Sequence, residues 1–230
     1  MIMQTDTAAA PNFTPLNMDR CLKVCIRPGD QRWQDAPQAP VRRWPLEREA
    51  PESGQVTSLV EYLPKAQFPQ HEHPNGEEIY VLEGVFSDES GDYPAGSYLR
   101  SPAGSRHSPF SEEGCLIFVK LNQFAPKDRS QVRLRPTEQS WGKRADGAVI
   151  SVLHRFAGEE TVLYSCAAGQ GLDLPAGPGE LLVLAGSLQS AGGDLPALTW
   201  LRHPELADHG LASREGAVLL VKSRASASAL

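Results

Sequence analysis

The chain has 230 residues, enough for one large domain or two smaller modules. Its formal charge of −6, with no Lys/Arg-rich run, excludes an electrostatic nucleic-acid binder. No apolar stretch nears the roughly 18 residues of a membrane span, and residues 1–20 carry neither the basic nor the apolar region of a secretory signal. A cytoplasmic chain with no membrane partner is therefore expected. Its four cysteines, Cys21, Cys25, Cys115 and Cys166, lack disulfide or zinc-finger spacing and read as free thiols.

In chain order, residues 1–20 are rich in Thr, Ala, Pro and Asn and read as a flexible N-terminus. Residues 21–125 read as a first β module with clear strands at 55–63, 78–86, 96–100 and 114–121. Glycines and prolines separate these short apolar runs, as in sandwiches and barrels. Ile79-Tyr80-Val81-Leu82 is apolar on both sides, as expected of a barrel wall that packs on a second layer. Residues 126–148 carry breaker chemistry and read as a linker, within which 131–135 alternates enough for a strand that bridges the modules. Residues 149–222 read as a second module, and 223–230 as a flexible tail.

The second module is a copy of the first. Glu78-Ile79-Tyr80-Val81-Leu82-Glu83-Gly84 resembles Glu180-Leu181-Leu182-Val183-Leu184-Ala185-Gly186. At the same spacing of 102 residues, Arg100 falls on Arg202, Pro102 on Pro204, His107 on His209 and Lys120 on Lys222.

The chemistry concentrates in the first copy, where His71-Glu72-His73-Pro74-Asn75-Gly76-Glu77 is followed by His107. Histidines at i and i+2 share one side of a strand. A carboxylate past the next turn and an imidazole from a later strand can close around one ion. Three nitrogens and one oxygen suit zinc, which is favoured, or iron, manganese or nickel. Glu77 and Glu78 face opposite ways, so one alone can be a ligand. In the second copy Asp173 replaces His71, Pro175 replaces His73 and Gly179 replaces Glu77, yet Glu180 still stands where Glu78 does. The ligand set is therefore His71, His73, Glu77 and His107, with Glu78 and Glu180 serving the scaffold. His209 keeps the place of His107 without its partners, so the second module is expected to be metal-free.

His71-x-His73-x3-Glu77-x6-Gly84, then Gly96-x5-Pro102-x-Gly104-x2-His107, resembles the two cupin motifs laid end to end. The run Glu77 to Glu89, with Tyr93-Pro94-Ala95-Gly96 and the stretch from Arg100 to Phe110, is similar to the ChrR-type cupin. The resemblance implies an all-β fold of two tandem jelly-roll barrels, a bicupin, with one divalent metal in the first. It also implies a sensory or regulatory module, a regulatory protein partner such as a sigma factor, and a homodimer that covers edge strands. The His-x3-Cys-x2-Cys motif of the anti-sigma zinc domain is absent from these residues. The same cupin subtype resembles metal-dependent dioxygenases that cleave small diketones or aromatic ketones, which is the alternative function. A non-catalytic barrel that binds a small molecule is the third.

The remaining residues read more plainly. Arg100 and Arg202 match between the copies and are expected to be structural. Arg106, whose place Asp208 takes in the second copy, reads as a solvated loop arginine. Cys115 and Cys166 read as buried and inert, and Phe68, Tyr80, Phe86, Tyr98, Phe110 and Phe118 as core.

Overall fold

A computed structural model describes residues 13–36, 40–51, 53–145 and 147–225. Two sheets repeat one strand order. In the first, the long strand Glu77–Asp88 lies between Tyr98–Ser101 and Cys115–Leu121, and the latter pairs in turn with Val56–Tyr62, then Val41–Arg48. In the second, Gly179–Ser190 lies between Trp200–His203 and Ala212–Arg224, followed by Glu159–Cys166 and Val149–Phe156. Pairing is antiparallel throughout, and the central strands stand 102 residues apart as the repeat requires.

Period-two alternation sorts the apolar residues into three cores. Ile79, Val81, Phe86, Ile117 and Val119 fill the first barrel. Leu181, Val183, Leu188, Leu219 and Val221 fill the second. The residues between them in sequence, Tyr80, Phe118, Leu182 and Leu220, join Trp44, Leu59, Tyr98 and Trp200 in a third core where the barrels meet. The strand holding Ile79 to Leu82 is thus covered on both faces.

Charged side chains line the same junction in pairs. Glu78 accepts hydrogen bonds from Tyr98 (2.7 Å), Arg100 (2.9 Å) and, across the junction, Thr161 (3.0 Å) and Lys222 (2.6 Å). Reciprocally, Glu180 accepts from Trp200 Nε1 at 2.9 Å and pairs with Lys120 of the first module at 2.5 Å. Arg202 reaches back to Glu47, and Arg100 to Asp128 at 2.6 Å. Glu78, Glu180, Arg100 and Arg202 are therefore structural residues that weld the two copies together.

The stretch 126–148 bridges the modules through the strand Val132–Leu134, close to the bridging strand expected at 131–135. It opens the second repeat at a different spacing. Arg27-Pro28, Asp30-Gln31 and Trp33 recur 108 residues later as Arg135-Pro136, Glu138-Gln139 and Trp141. Both copies form a strand and then a 3-10 turn, Val24–Ile26 with Pro28–Asp30 and Val132–Leu134 with Pro136–Glu138. In each, the acidic side chain accepts from the backbone N–H of the arginine before the proline. The strands are exchanged. Val24–Ile26, which the 21–125 boundary assigns to the first module, pairs with Trp200–His203 of the second sheet, and Val132–Leu134 pairs with Tyr98–Ser101 of the first. Each arm covers an edge strand that would otherwise offer unpaired N–H and C=O groups.

The terminal expectations are corrected in part. Residues 1–12 and 226–230 lie outside the described residues. Residues 13–20 are not loose: Leu16 exchanges backbone hydrogen bonds with Arg48, Asn17 Nδ2 donates to the Leu46 carbonyl at 2.8 Å, and the Asn17 and Asp19 carbonyls accept from Arg202. Ser223 and Arg224, placed in the tail, end the strand Ala212–Arg224. Phe110, expected in the core, is 38% exposed, because its short strand pairs at the sheet margin with Gln67 and Ser87.

Candidate metal centre

Two three-residue strands, His71–His73 and Ser105–His107, pair antiparallel with His71 opposite His107 and His73 opposite Ser105. Alternation puts His71, His73 and His107 on one face of this ribbon. Their ligand nitrogens all lie within 4.8 Å of one another. The turn after His73 needs Gly76 at φ +85°, where an added Cβ would lie 2.6 Å from the Phe124 ring. That turn delivers Glu77 to the cluster. Its Oε2 stands 3.4 Å from both His73 Nε2 and His107 Nε2, which are 3.0 Å from each other. The structure thus brings together the four residues picked from the sequence.

Electrostatically this is a site short of a positive charge. Glu77 Oε2 is buried and has no hydrogen-bond partner, and burial pushes its carboxyl up to about 7 against the pull of His107 and Arg133. Burial and the neighbouring imidazoles push His73 down to about 3, and burial lowers His71 as well. The neutral imidazoles of His71 and His73, presenting lone pairs beside an orphaned buried carboxylate oxygen, are what a divalent cation requires. The His71 Nδ1 lies 3.0 Å from the Pro69 carbonyl, and donating there leaves Nε2 free to ligate. Asp88 Oδ2 stands 3.6 Å from His107 Nδ1. Burial would lower the His107 value, but Asp88 and Glu77 outweigh it and raise the net.

Asp88, which the sequence reading did not single out, therefore places a buried carboxylate oxygen that has no hydrogen-bond partner beside the ring of His107. Arg133 Nη2, from the exchanged arm of the second repeat, lies 3.9 Å from the same Asp88 oxygen and donates to Ser101 Oγ, while Nη1 donates to the Arg100 carbonyl. Replacing a carboxylate that orients a ligating histidine costs about 10–100-fold in metal affinity. Asp88→Asn is expected to lose that much in a chelator competition while still binding one ion per chain.

A cavity of about 520 Å³ opens onto the cluster, lined by His71, His73 and Glu77 and walled by Val56, Val60, Tyr62, Phe68, Ile117, Val119 and Leu121. Arg106 does not face it as a free cation. It pairs with Glu72 at 2.5 Å on the exposed face of the ribbon. Cys115 and Cys166 are buried, and burial pushes the Cys115 thiol up to about 11, away from thiolate reactivity.

The second barrel is built differently at this place. Asp173 points outward to Arg144 at 3.0 Å. A 3-10 turn, Leu206–His209, replaces the second ribbon strand. A Cβ on Gly179, where Glu77 stands in the first copy, would meet Leu206 at 2.8 Å and the Lys222 carbonyl at 2.9 Å. Leu206, fully buried, occupies the space of a ligand. Among the described residues the three histidines of the first barrel are the one cluster of metal-ligating type.

The profile of the ChrR cupin-like domain matches the chain twice, over residues 22–125 and 129–227. The second match begins near the exchanged arm, in agreement with the 108-residue repeat. No curated protein matches the chain significantly. Among solved structures, a putative dioxygenase from Nostoc punctiforme is similar at a TM-score of 0.74 and 17% identity, covering 91% of this chain and 85% of its own. A point mutant of Bacillus subtilis oxalate decarboxylase OxdC gives 0.63 and 15%, covering 87% and 77%. The pirin YhhW from Escherichia coli, in complex with nickel(II), gives 0.62 and 16%, covering 89% and 100%.

Proposed function

Because the chain belongs to the ChrR cupin-like domain family and carries that domain twice, we propose that its first barrel is a one-metal enzyme of the dioxygenase type acting on a small organic molecule. The observation that carries this reading is the cavity of about 520 Å³ reaching His71, His73 and Glu77. A cavity reaching the ligand side chains would give a small molecule access to an ion held there, whereas a structural zinc site is closed by its four protein ligands. His71, His73, Glu77 and His107 would hold the ion. Bound there, a metal such as ferrous iron would supply Lewis-acid and redox character. The chain supplies the rest. Asp88 sets a negative charge beside the ring of His107, the walls from Val60 to Leu121 exclude water, and Tyr62, whose hydroxyl is held well above its usual value by burial and Glu77, keeps its proton. The likeness to a putative dioxygenase across both modules supports the reading, and the nickel(II) complex of the pirin supports a divalent ion in this fold.

A regulatory reading draws on the family match itself. In that reading zinc closes the site, and a homodimer or a sigma-factor partner reads it out. The test is metal content of protein purified without added metal, followed by oxygen uptake of the iron(II)-loaded chain with acetylacetone and hydroxyacetophenone. Iron, manganese or nickel as isolated, with uptake on one substrate, is the expected result. One equivalent of zinc and no uptake across the panel would overturn the enzyme in favour of the regulatory module.

A further inference from the structure

Among the described residues, two buried side-chain atoms of the residues lining the first barrel's cavity lack a hydrogen-bond partner, Glu77 Oε2 and Ser58 Oγ. An ion in the histidine cluster answers the first. No described residue answers the second. Ser58 is 2% exposed, and a buried hydroxyl left unpaired is destabilising. Its surroundings are apolar. Val56 and Val60 flank it on the same face of the strand Val56–Tyr62, and Val119 stands directly opposite. All three valines line the cavity as well.

The second barrel does without this hydroxyl. Hydrogen-bond register equates the two walls, since Ser58 opposes Val119 as Val162 opposes Val221. Val162 belongs to the apolar core of the second barrel. The adjacent hydroxyl behaves differently. Thr57 opposes Lys120 as Thr161 opposes Lys222, and the two threonines donate to the buried junction glutamates Glu47 and Glu78. A hydroxyl with a structural partner is thus present in both copies. Ser97 and Thr199, which match at the 102-residue spacing, both carry an unpartnered buried hydroxyl, and neither lines the cavity. They belong to what the copies share. Ser58 differs from both cases: its hydroxyl is orphaned, lines the cavity, and is replaced by valine in the copy without metal ligands.

Register also places Ser58 relative to the ion. Leu121 opposes Glu77 on one side and Val56 on the other, so Ser58 stands two strands across and two residues along from Glu77. Over the sheet this is roughly 12 Å between backbones, a span that one small molecule with an end at the histidine cluster can cover. We propose that Ser58 is a specificity-determining residue of the first barrel, and that it receives a neutral oxygen, hydroxyl or carbonyl, carried by an apolar small molecule at the end remote from the metal. A serine hydroxyl both donates and accepts, so it completes either group. A valine-lined wall with one neutral hydroxyl disfavours a charged group. The inference deepens the proposed function and rests on it for the role of the ligand as substrate.

The experiment measures dissociation constants of three 1-arylbutane-1,3-diones by calorimetry on the full chain, metal-free and zinc-loaded. The aryl groups are 4-hydroxyphenyl, 4-formylphenyl and 4-methylphenyl, the last a control without the oxygen. The wild-type chain is expected to prefer the hydroxyl or the formyl compound over the methyl one by about tenfold, roughly one buried hydrogen bond, and the one preferred names the group. S58A and S58V erase the preference while the methyl compound binds at least as tightly as before, S58T keeps part of it, and S58V melts no lower than the wild type. Equal affinity for all three compounds in the wild type, equal weakening of all three in S58A, or no binding of any overturns the assignment. If no metal binds and a Ser58-dependent preference persists, the subsite stands and the metal enzyme falls.

Discussion

Replacing His73 with alanine strips the chain of its metal. A four-ligand zinc site is worth about 10–16 kcal/mol, so one ligand accounts for about 3 kcal/mol, or roughly a hundredfold in affinity. His73 Nε2 stands 3.0 Å from His107 Nε2 and 3.4 Å from Glu77 Oε2, at the centre of the set, and His73 is buried, so water replaces it poorly. Metal per chain after dialysis against a weak chelator is expected to fall from one to near zero. Asp173→Ala, at the matching end of the second barrel, is the comparison. It removes an outward carboxylate paired with Arg144 and should leave the metal content at one. Loss of metal in both variants, or two equivalents in the wild type, would mean the second barrel also binds.

The sequence displays this site because a metal centre is local chemistry. His71, His73 and Glu77 fall within seven residues, on either side of one turn, and His107 lies at a spacing that strand geometry makes meaningful. The duplicate made the distinction between Glu77 and Glu78 readable, since only Glu78 keeps its counterpart. What stayed hidden is long-range. The strand Val41–Arg48 carries three arginines, a glutamate and Pro45, and its ladder shifts register at Pro45/Glu47, so it shows neither alternation nor an apolar run. The opening of the second repeat was missed because its spacing is 108 rather than 102, although Arg135-Pro136, Glu138-Gln139 and Trp141 could have revealed it. No pattern in one chain says that the two arms change places, and so none points to Arg133 beside Asp88.

The second large effect lies far from the metal, at the junction of the barrels. Glu47 is fully buried. It accepts from Thr57 Oγ1 at 2.6 Å, pairs with Arg202 of the second module and with Arg20 at 2.6 Å, and lies 3.9 Å from Lys120 Nζ. Glu47→Leu leaves Arg202 and Lys120 facing a buried apolar surface, and breaking one side of such a pair costs about 3–5 kcal/mol. For a chain of this size Tm falls about 2–4 °C per kcal/mol, so a drop of about 6–20 °C is expected in a thermal melt. Arg20→Ala removes a half-exposed partner of the same carboxylate and should cost less than about 1 kcal/mol. The acid limb carries a second signature. Burial alone would raise the Glu47 carboxyl, but Lys120 and Arg20, with hydrogen bonds from Thr57 and Arg202, outweigh it and hold it below its usual value. A depressed carboxylate contributes stability that is complete above the unfolded value of about 4.3 and is lost as pH falls toward the folded one. The wild-type chain should therefore lose stability between about pH 5 and pH 3 more steeply than Glu47→Gln does. Identical slopes, or a Leu variant as stable as the wild type, would mean that the apolar core between the barrels holds them together without this charge.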